Sequence, residues 1–166
     1  PLNPSIEVFF PFFFCIFVVS FLFLLFQVKG MIPSRCSVFK SAQKPLGLCF
    51  EKVDGSPFMV LFKLGDDLRC DQLVLQLISL MDDMLQRDGN LDLCLSPYRV
   101  LATGKNDGMV EIVPDSISVA ACLKNNDNDI AAYFKKLHPS DSGPFGIDAK
   151  VLDNFVRSCA GYGVIT

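Results

Sequence analysis

Lys63 closes the apolar run Val60-Leu61-Phe62-Lys63, and three carboxylates follow it at Asp66, Asp67 and Asp71. An ammonium at the end of a strand, aimed by an acid at the start of a helix, is an arrangement that neutralises phosphate charge. On spacing alone, Lys63 reads as a solvated charge at a strand edge. Lys44, in the loop-like stretch Ser41-Ala42-Gln43-Lys44-Pro45, reads by itself as a solvated loop lysine. Metal chemistry finds no support: the seven cysteines are scattered singly, no Cys-x-x-Cys pair occurs, and His138 is the only histidine. The cysteines read as reduced thiols, mostly in apolar stretches. A formal net charge of -3 argues against a nucleic-acid binder.

The elements that must position Lys63 are written in the pattern around it. Leu46–Phe50 and Phe58–Phe62 are short apolar runs with Asp54-Gly55 between them, which predicts a β-hairpin. After Gly65-Asp66-Asp67-Leu68-Arg69, the spacing of Leu73, Leu77, Leu80, Met81 and Met84, widened by Val74, Ile78 and Leu85, predicts an amphipathic helix of about four turns. Asp66 and Asp67 suit its start, and Asp88-Gly89-Asn90 its end. Leu91, Leu93 and Leu95 alternate as in a strand; Tyr98–Thr103 and Met109–Val113 read as two more. Pro114-Asp115-Ser116 is expected to cap a helix around Ile117–Leu123. Another helix is expected over Asp129–Leu137, then a loop over His138–Pro144. A last helix is capped by Asp148, with Val151, Phe155, Cys159 and Tyr162 on one face. Strands with one helix come first and helices follow, an order that suggests two unlike lobes meeting near Val113-Pro114.

The first 30 residues stand apart. Val8–Phe26 carries no charge and is long enough to span a bilayer. A signal peptide fits poorly, because no basic region precedes the run and Glu7 is the only charge before it. Three readings stay open. The segment is the translated end of an intron, since pyrimidine-rich DNA encodes Phe, Leu, Ser and Cys and Phe26-Gln27 matches a terminal TTT-CAG. Alternatively it is a membrane anchor, or a buried hydrophobic element. The start at Pro1 and the apolar run before Thr166 lead to the expectation that both ends are cut.

Three ordered motifs carry a family resemblance. Phe62-Lys63-Leu64-Gly65-Asp66-Asp67-Leu68-Arg69-Cys70-Asp71-Gln72-Leu73 resembles the F-K-x-G-D-D-L-R-Q-D-x-L signature of phosphatidylinositol 3- and 4-kinases. Leu91-Asp92-Leu93-Cys94-Leu95-Ser96-Pro97-Tyr98 is similar to that family's N-L-D-L-x-L-x-P-Y run, and Ser158-Cys159-Ala160-Gly161-Tyr162 to its S-C-A-G-Y helix. Details such as Val100-Leu101-Ala102-Thr103-Gly104 and Gly143-Pro144-Phe145-Gly146-Ile147 look like the class III 3-kinases. The resemblance covers roughly Arg35 to Thr166. Cys70, Gly163 and the Asp88-Gly89 helix end depart from the usual pattern, where Gln, Cys and charged residues stand.

The resemblance implies an α+β, protein-kinase-like two-lobe fold in truncated form. Residues 31–113 would be the N-lobe, with an antiparallel sheet and one long helix, and 114–166 the incomplete start of the C-lobe, behind the hydrophobic segment 1–30. It implies an enzyme that transfers the ATP γ-phosphate to the 3-hydroxyl of phosphatidylinositol, using Mg²⁺ or Mn²⁺. Ser41, Ala42 and Lys44 would belong to the loop over the phosphates. Lys63 would be the phosphate-binding lysine and Asp71 the helix acid that orients it. Tyr98 would back the nucleotide pocket, and Glu111, Ile112 and Val113 would take the adenine edge through backbone groups. The catalytic loop D-R-H-x-x-x-N and the D-F-G motif are expected beyond Thr166, so no catalytic residue or metal ligand is expected in 1–166, and the chain alone is expected not to turn over. The resemblance also implies a peripheral protein of endosomal and autophagic membranes, with a regulatory kinase-like subunit and a Beclin-type partner. The competing readings are a non-catalytic pseudokinase and a small membrane-anchored remnant, integral only if segment 8–26 is translated and inserted.

Overall fold

The computed structural model describes residues 28–41 and 43–165. The hydrophobic segment, with its three readings, and Ala42 lie outside the described residues.

The hairpin forms where the sequence places it. Strand β3 (Leu46–Lys52) pairs antiparallel with β4 (Pro57–Leu64), with Leu46 opposite Phe62 and Phe50 opposite Phe58. The turn closes through Asp54, whose carboxylate accepts the Ser56 N–H at 2.8 Å, and through Gly55 in the left-handed region at φ 83. Among the described residues six strands make one antiparallel sheet. Its order is β1 (Val28–Met31), β3, β4, β6 (Asp107–Glu111) and β5 (Val100–Ala102), with β2 (Ser37–Val38) also beside β3. The period of two sends Leu48, Phe50, Phe58, Val60 and Phe62 to one face, where they join Val28 and Met109 in a buried cluster. Burying each such side chain stabilises by about 1.5–3 kcal/mol. Met59, Leu61 and Lys63 take the opposite face.

Helix α1 (Arg69–Gly89) follows β4. It ends as its composition predicts: Asn90 turns left-handed at φ 50 and Leu91 N–H donates to the Leu85 carbonyl at 3.0 Å. Its buried side takes only the Ile78–Leu85 edge of the expected stripe. Leu73, Leu77, Leu80 and Met84 are each about half exposed, whereas Leu75, Ile78, Asp82 and Leu85 turn inward. At the helix start the Gln72 side chain accepts the Ala102 N–H at 2.8 Å.

Three helices follow: α2 (Val119–Lys124), α3 (Ile130–Leu137) and α4 (Ala149–Ile165). Asp148 caps α4, as read from sequence, and Asp129 caps α3. The α2 cap is Ser118, whose Oγ accepts the Ala121 N–H at 3.2 Å, not the Pro114-Asp115-Ser116 stretch; Asp115 is held left-handed at φ 52 in a turn before the helix. The alternating Leu91, Leu93 and Leu95 form no strand. Asp92 accepts the Cys94 N–H at 2.8 Å, and Cys94 is left-handed at φ 54, which ends extended geometry there. Leu93 and Leu95 instead lie against Gly161 of α4, where an added Cβ would stand 3.0 and 2.8 Å from them. The packed side of α4 is rotated from the expected one: Cys159 is exposed, while Gly161 is buried and the Tyr162 hydroxyl accepts the Ser96 N–H at 3.2 Å.

The chain is a mixed helix and antiparallel-sheet protein. It divides into two compact units, residues 28–73 with Tyr98–Pro114, and Val74–Pro97 with 115–165. Among the described residues no helix is long and apolar enough to cross a membrane.

Candidate functional site

Lys63 stands one residue from the end of β4, opposite Gly108 of β6. The chain then bends at Gly65, left-handed at φ 83, and the N–H groups of Gly65 and Asp66 both donate to the Asn106 carbonyl, at 2.7 and 3.1 Å. The bend turns Asp66 back toward the strand. Its Oδ2 accepts a hydrogen bond from Lys63 Nζ at 2.8 Å, with the two side chains 28% and 36% exposed. The charge pair is thus half solvated, on the face of the sheet away from the apolar cluster.

The neighbouring acid is used differently. Asp67 binds Arg69 through both carboxylate oxygens, at 2.8 and 2.6 Å, and accepts the Arg69 backbone N–H at 3.2 Å. These bonds, the side-chain ones first, lower its pKa from 3.8 to about 2. Asp71 lies in the first turn of α1, exposed, and carries no ion pair among the described residues.

Gly108 leaves the space opposite Lys63 free of a side chain. A Cβ there would meet the Leu101 carbonyl oxygen at 2.5 Å and Leu68 Cδ1 at 2.8 Å. Leu68, 2% exposed, plugs the start of α1 against the sheet at that point. Leu68, Gln72, Asn106 and Gly108 therefore fix the Lys63–Asp66 bend. Their part escapes sequence reading because each acts through a partner distant in the chain, although the glycine opposite a strand lysine was a signal for close approach.

At its other end β6 runs into the expected adenine-facing residues. Glu111 N–H donates to the Arg99 carbonyl at 2.8 Å, and Glu111 Oε2 accepts the Arg99 N–H at 3.1 Å. Ile112 N–H donates to the Met59 carbonyl at 2.9 Å. The amides of Glu111 and Ile112 are thus committed to the sheet, and Val113 follows, exposed. Tyr98, also exposed, immediately precedes Arg99. Ser41 and Lys44 form a turn before β3, with Lys44 N–H donating to the Ser41 carbonyl at 3.0 Å and Lys44 left-handed at φ 43. Because Leu46 pairs with Phe62, this turn emerges at the Lys63 end of β4. One unit of the fold therefore carries Ser41, Lys44, Lys63, Asp66, Asp71, Tyr98 and Glu111–Val113. The lysine has its acid neighbour at one end of β6, and the backbone edge lies at the other.

The sequence profile described as "Phosphatidylinositol 3- and 4-kinase" matches residues 57–166, which include Lys63, Asp66, Asp71, Tyr98 and Glu111–Val113. The chain belongs to the phosphatidylinositol 3- and 4-kinase family. Among its relatives, the root isoform of phosphatidylinositol 3-kinase from Glycine max is 52% identical over 139 residues, covering 84% of this chain and 17% of the relative. Phosphatidylinositol 3-kinase VPS34 of Arabidopsis thaliana is 50% identical over 140 residues, 84% of this chain and 17% of the relative. Phosphatidylinositol 3-kinase pik3 of Schizosaccharomyces pombe is 49% identical over 143 residues, 84% and 18%. The chain therefore spans under a fifth of the length of these family members.

Proposed function

We propose that these residues form the nucleotide-binding part of a class III phosphatidylinositol 3-kinase, built as the N-lobe and first C-lobe helices of a protein-kinase-like fold. The observation that carries the reading is the Lys63–Asp66 pair, set at 2.8 Å inside the family-matched stretch. Phosphoryl transfer depends on positioning and on charge neutralisation more than on covalent chemistry. On this reading Lys63 places an ammonium against ATP phosphate oxygens, and Asp66 restricts its direction, a task the resemblance alone implies for Asp71. The turn Ser41–Lys44 covers the phosphates and brings the Lys44 charge to them. On this reading the Glu111–Val113 segment faces the adenine edge. Tyr98 flanks that segment.

The family's Mg²⁺ or Mn²⁺ ligands belong to the D-R-H-x-x-x-N and D-F-G motifs, which do not occur in residues 1–166. The residues present do not make that metal site. Residues 1–166 alone are accordingly expected to transfer no phosphate. The whole protein, on this reading, makes phosphatidylinositol 3-phosphate at endosomal and autophagic membranes, with a regulatory kinase-like subunit and a Beclin-type partner.

The test uses the longest open reading frame that contains these residues. Purified protein is incubated with ATP and phosphatidylinositol, and the product is resolved by headgroup position. A 3-phosphate product that disappears in K63M is expected. Product at the 4-hydroxyl, or activity unaffected by K63M, would refute the reading.

A further inference from the structure

Phe145, in the loop between α3 and α4, is 82% exposed. Its backbone lies in the left-handed region, φ 58 and ψ 15, which bulky residues rarely adopt. The loop is built to hold it there. A side chain at Gly143 would run into the Ile147 carbonyl oxygen, and the Gly143 N–H donates to Ser140 Oγ at 3.1 Å. Gly146, left-handed at φ 75, donates its N–H to the Gly143 carbonyl at 3.1 Å. Ile147, 1% exposed, pins the far side, bridging antiparallel to Pro139, and the Asp148 N–H closes the loop onto the His138 carbonyl at 2.9 Å.

One cation stands at the base of the projecting ring. A Cβ on Gly146 would lie 3.0 Å from Lys135 Cε and 3.3 Å from its Nζ, so the Lys135 ammonium sits on the turn that carries Phe145. Lys136 and Leu137 follow it on α3, both exposed, Leu137 at 52%. The Phe134 ring packs on Phe155 of α4 at 4.7 Å between centroids, which fixes the orientation of α3 on that side. Two acids belong to the same stretch. Asp148 caps α4 by accepting the N–H groups of Lys150 and Val151, at 3.0 and 3.1 Å, and Asp141 is exposed.

We propose that this loop is an interfacial membrane contact. Phe145 and Leu137 enter the headgroup–acyl boundary of an anionic bilayer, and Lys135 and Lys136 meet its charged headgroups. A lone aromatic held out on a tight turn, with an ammonium at its base, has the amphipathic build suited to that boundary. A protein groove would ask for a broader apolar face than one ring and one leucine. Each lysine contributes roughly fivefold in affinity for an anionic surface. The proposal is independent of the nucleotide site: failure of the lipid-kinase assay would leave it standing, and the reverse.

The chain contains no tryptophan, so F145W places a single indole at the tip of the loop. The full chain carrying F145W is mixed with phosphatidylcholine vesicles with and without phosphatidylserine. The reading concerns residue 145 itself, whatever else attaches the chain to lipid. Expected is a blue-shifted emission quenched by brominated acyl chains on phosphatidylserine vesicles, with affinity lowered on the order of twentyfold in F145W/K135A/K136A. An emission that stays water-like and open to iodide while the chain sediments with vesicles overturns the proposal. So does an equal shift on neutral vesicles that K135A/K136A leaves unchanged.

Discussion

Which acid holds Lys63 can be decided by coupling energies. Lys63 Nζ and Asp66 Oδ2 are 2.8 Å apart, and unit charges at that distance attract by about 1.5 kcal/mol in bulk water and about 6 kcal/mol at an effective dielectric near 20. Side chains 28% and 36% exposed stand nearer the watery limit. Fixing the lysine chain costs up to about 2 kcal/mol of rotamer entropy, which removes most of the attraction. The net coupling is therefore expected at roughly 0.2–1 kcal/mol. It is measured by a double-mutant cycle over K63M, D66N and K63M/D66N, from urea unfolding followed by far-UV circular dichroism. The parallel cycle with D71N should give no coupling beyond error, because Asp71 lies exposed without an ion pair among the described residues. A Lys63–Asp71 coupling equal to or above that of Lys63–Asp66 would refute the assignment. A Lys63–Asp66 coupling above about 2 kcal/mol would refute the half-solvated description of the pair.

Leu68→Ala is expected to cost about 2–5 kcal/mol, read as a lowered urea midpoint with unchanged slope, because the side chain is 2% exposed and seats the start of α1. Asp67 has its pKa lowered to about 2 by the Arg69 hydrogen bonds. A group depressed on folding stabilises above its unfolded pKa near 3.8 and loses that contribution as pH falls, so the stability gap between wild type and R69M should be full at pH 5 and shrink between about pH 4 and pH 2. Two glycines of α4 should respond with opposite signs. Gly161→Ala drives a methyl into Leu93 and Leu95 and should cost about 1–3 kcal/mol. Gly163→Ala meets nothing within 4 Å and should gain about 0.5–1 kcal/mol in thermal or urea unfolding.

The parts of the fold that were legible in the sequence are the local ones. Asp54-Gly55 between two apolar runs specifies the β3–β4 hairpin from Leu46 to Leu64, and Asp148 caps the helix it precedes. Where a distant partner decides, local patterning misleads. Leu91, Leu93 and Leu95 alternate like a strand, but the Asp92–Cys94 turn breaks it, and Gly161, some seventy residues on, takes Leu93 and Leu95. The leucine spacing of α1 names an apolar stripe of which Ile78 and Leu85 turn inward, while Leu73, Leu77, Leu80 and Met84 stay about half exposed. The candidate site divides the same way. Lys63 and its cluster of acids stand out in the sequence. The choice of Asp66 among them does not, since it is made by the Asn106 carbonyl on the β5–β6 turn.

Strand β6 serves as a ruler. It pairs Lys63 with Gly108 at one end and delivers Glu111 opposite Val60 at the other. At about 3.4 Å per residue the separation along the strand is close to 10 Å, and it is set by backbone register rather than by any side chain. Point substitutions within β6 would leave that length untouched. One inserted residue would move the 111–113 edge by about 3.4 Å relative to Lys63 and turn every later side chain to the other face of the sheet. A gap within 107–111 should therefore disturb the spacing between Lys63 and the 111–113 edge, which a replacement at Glu111 would leave intact.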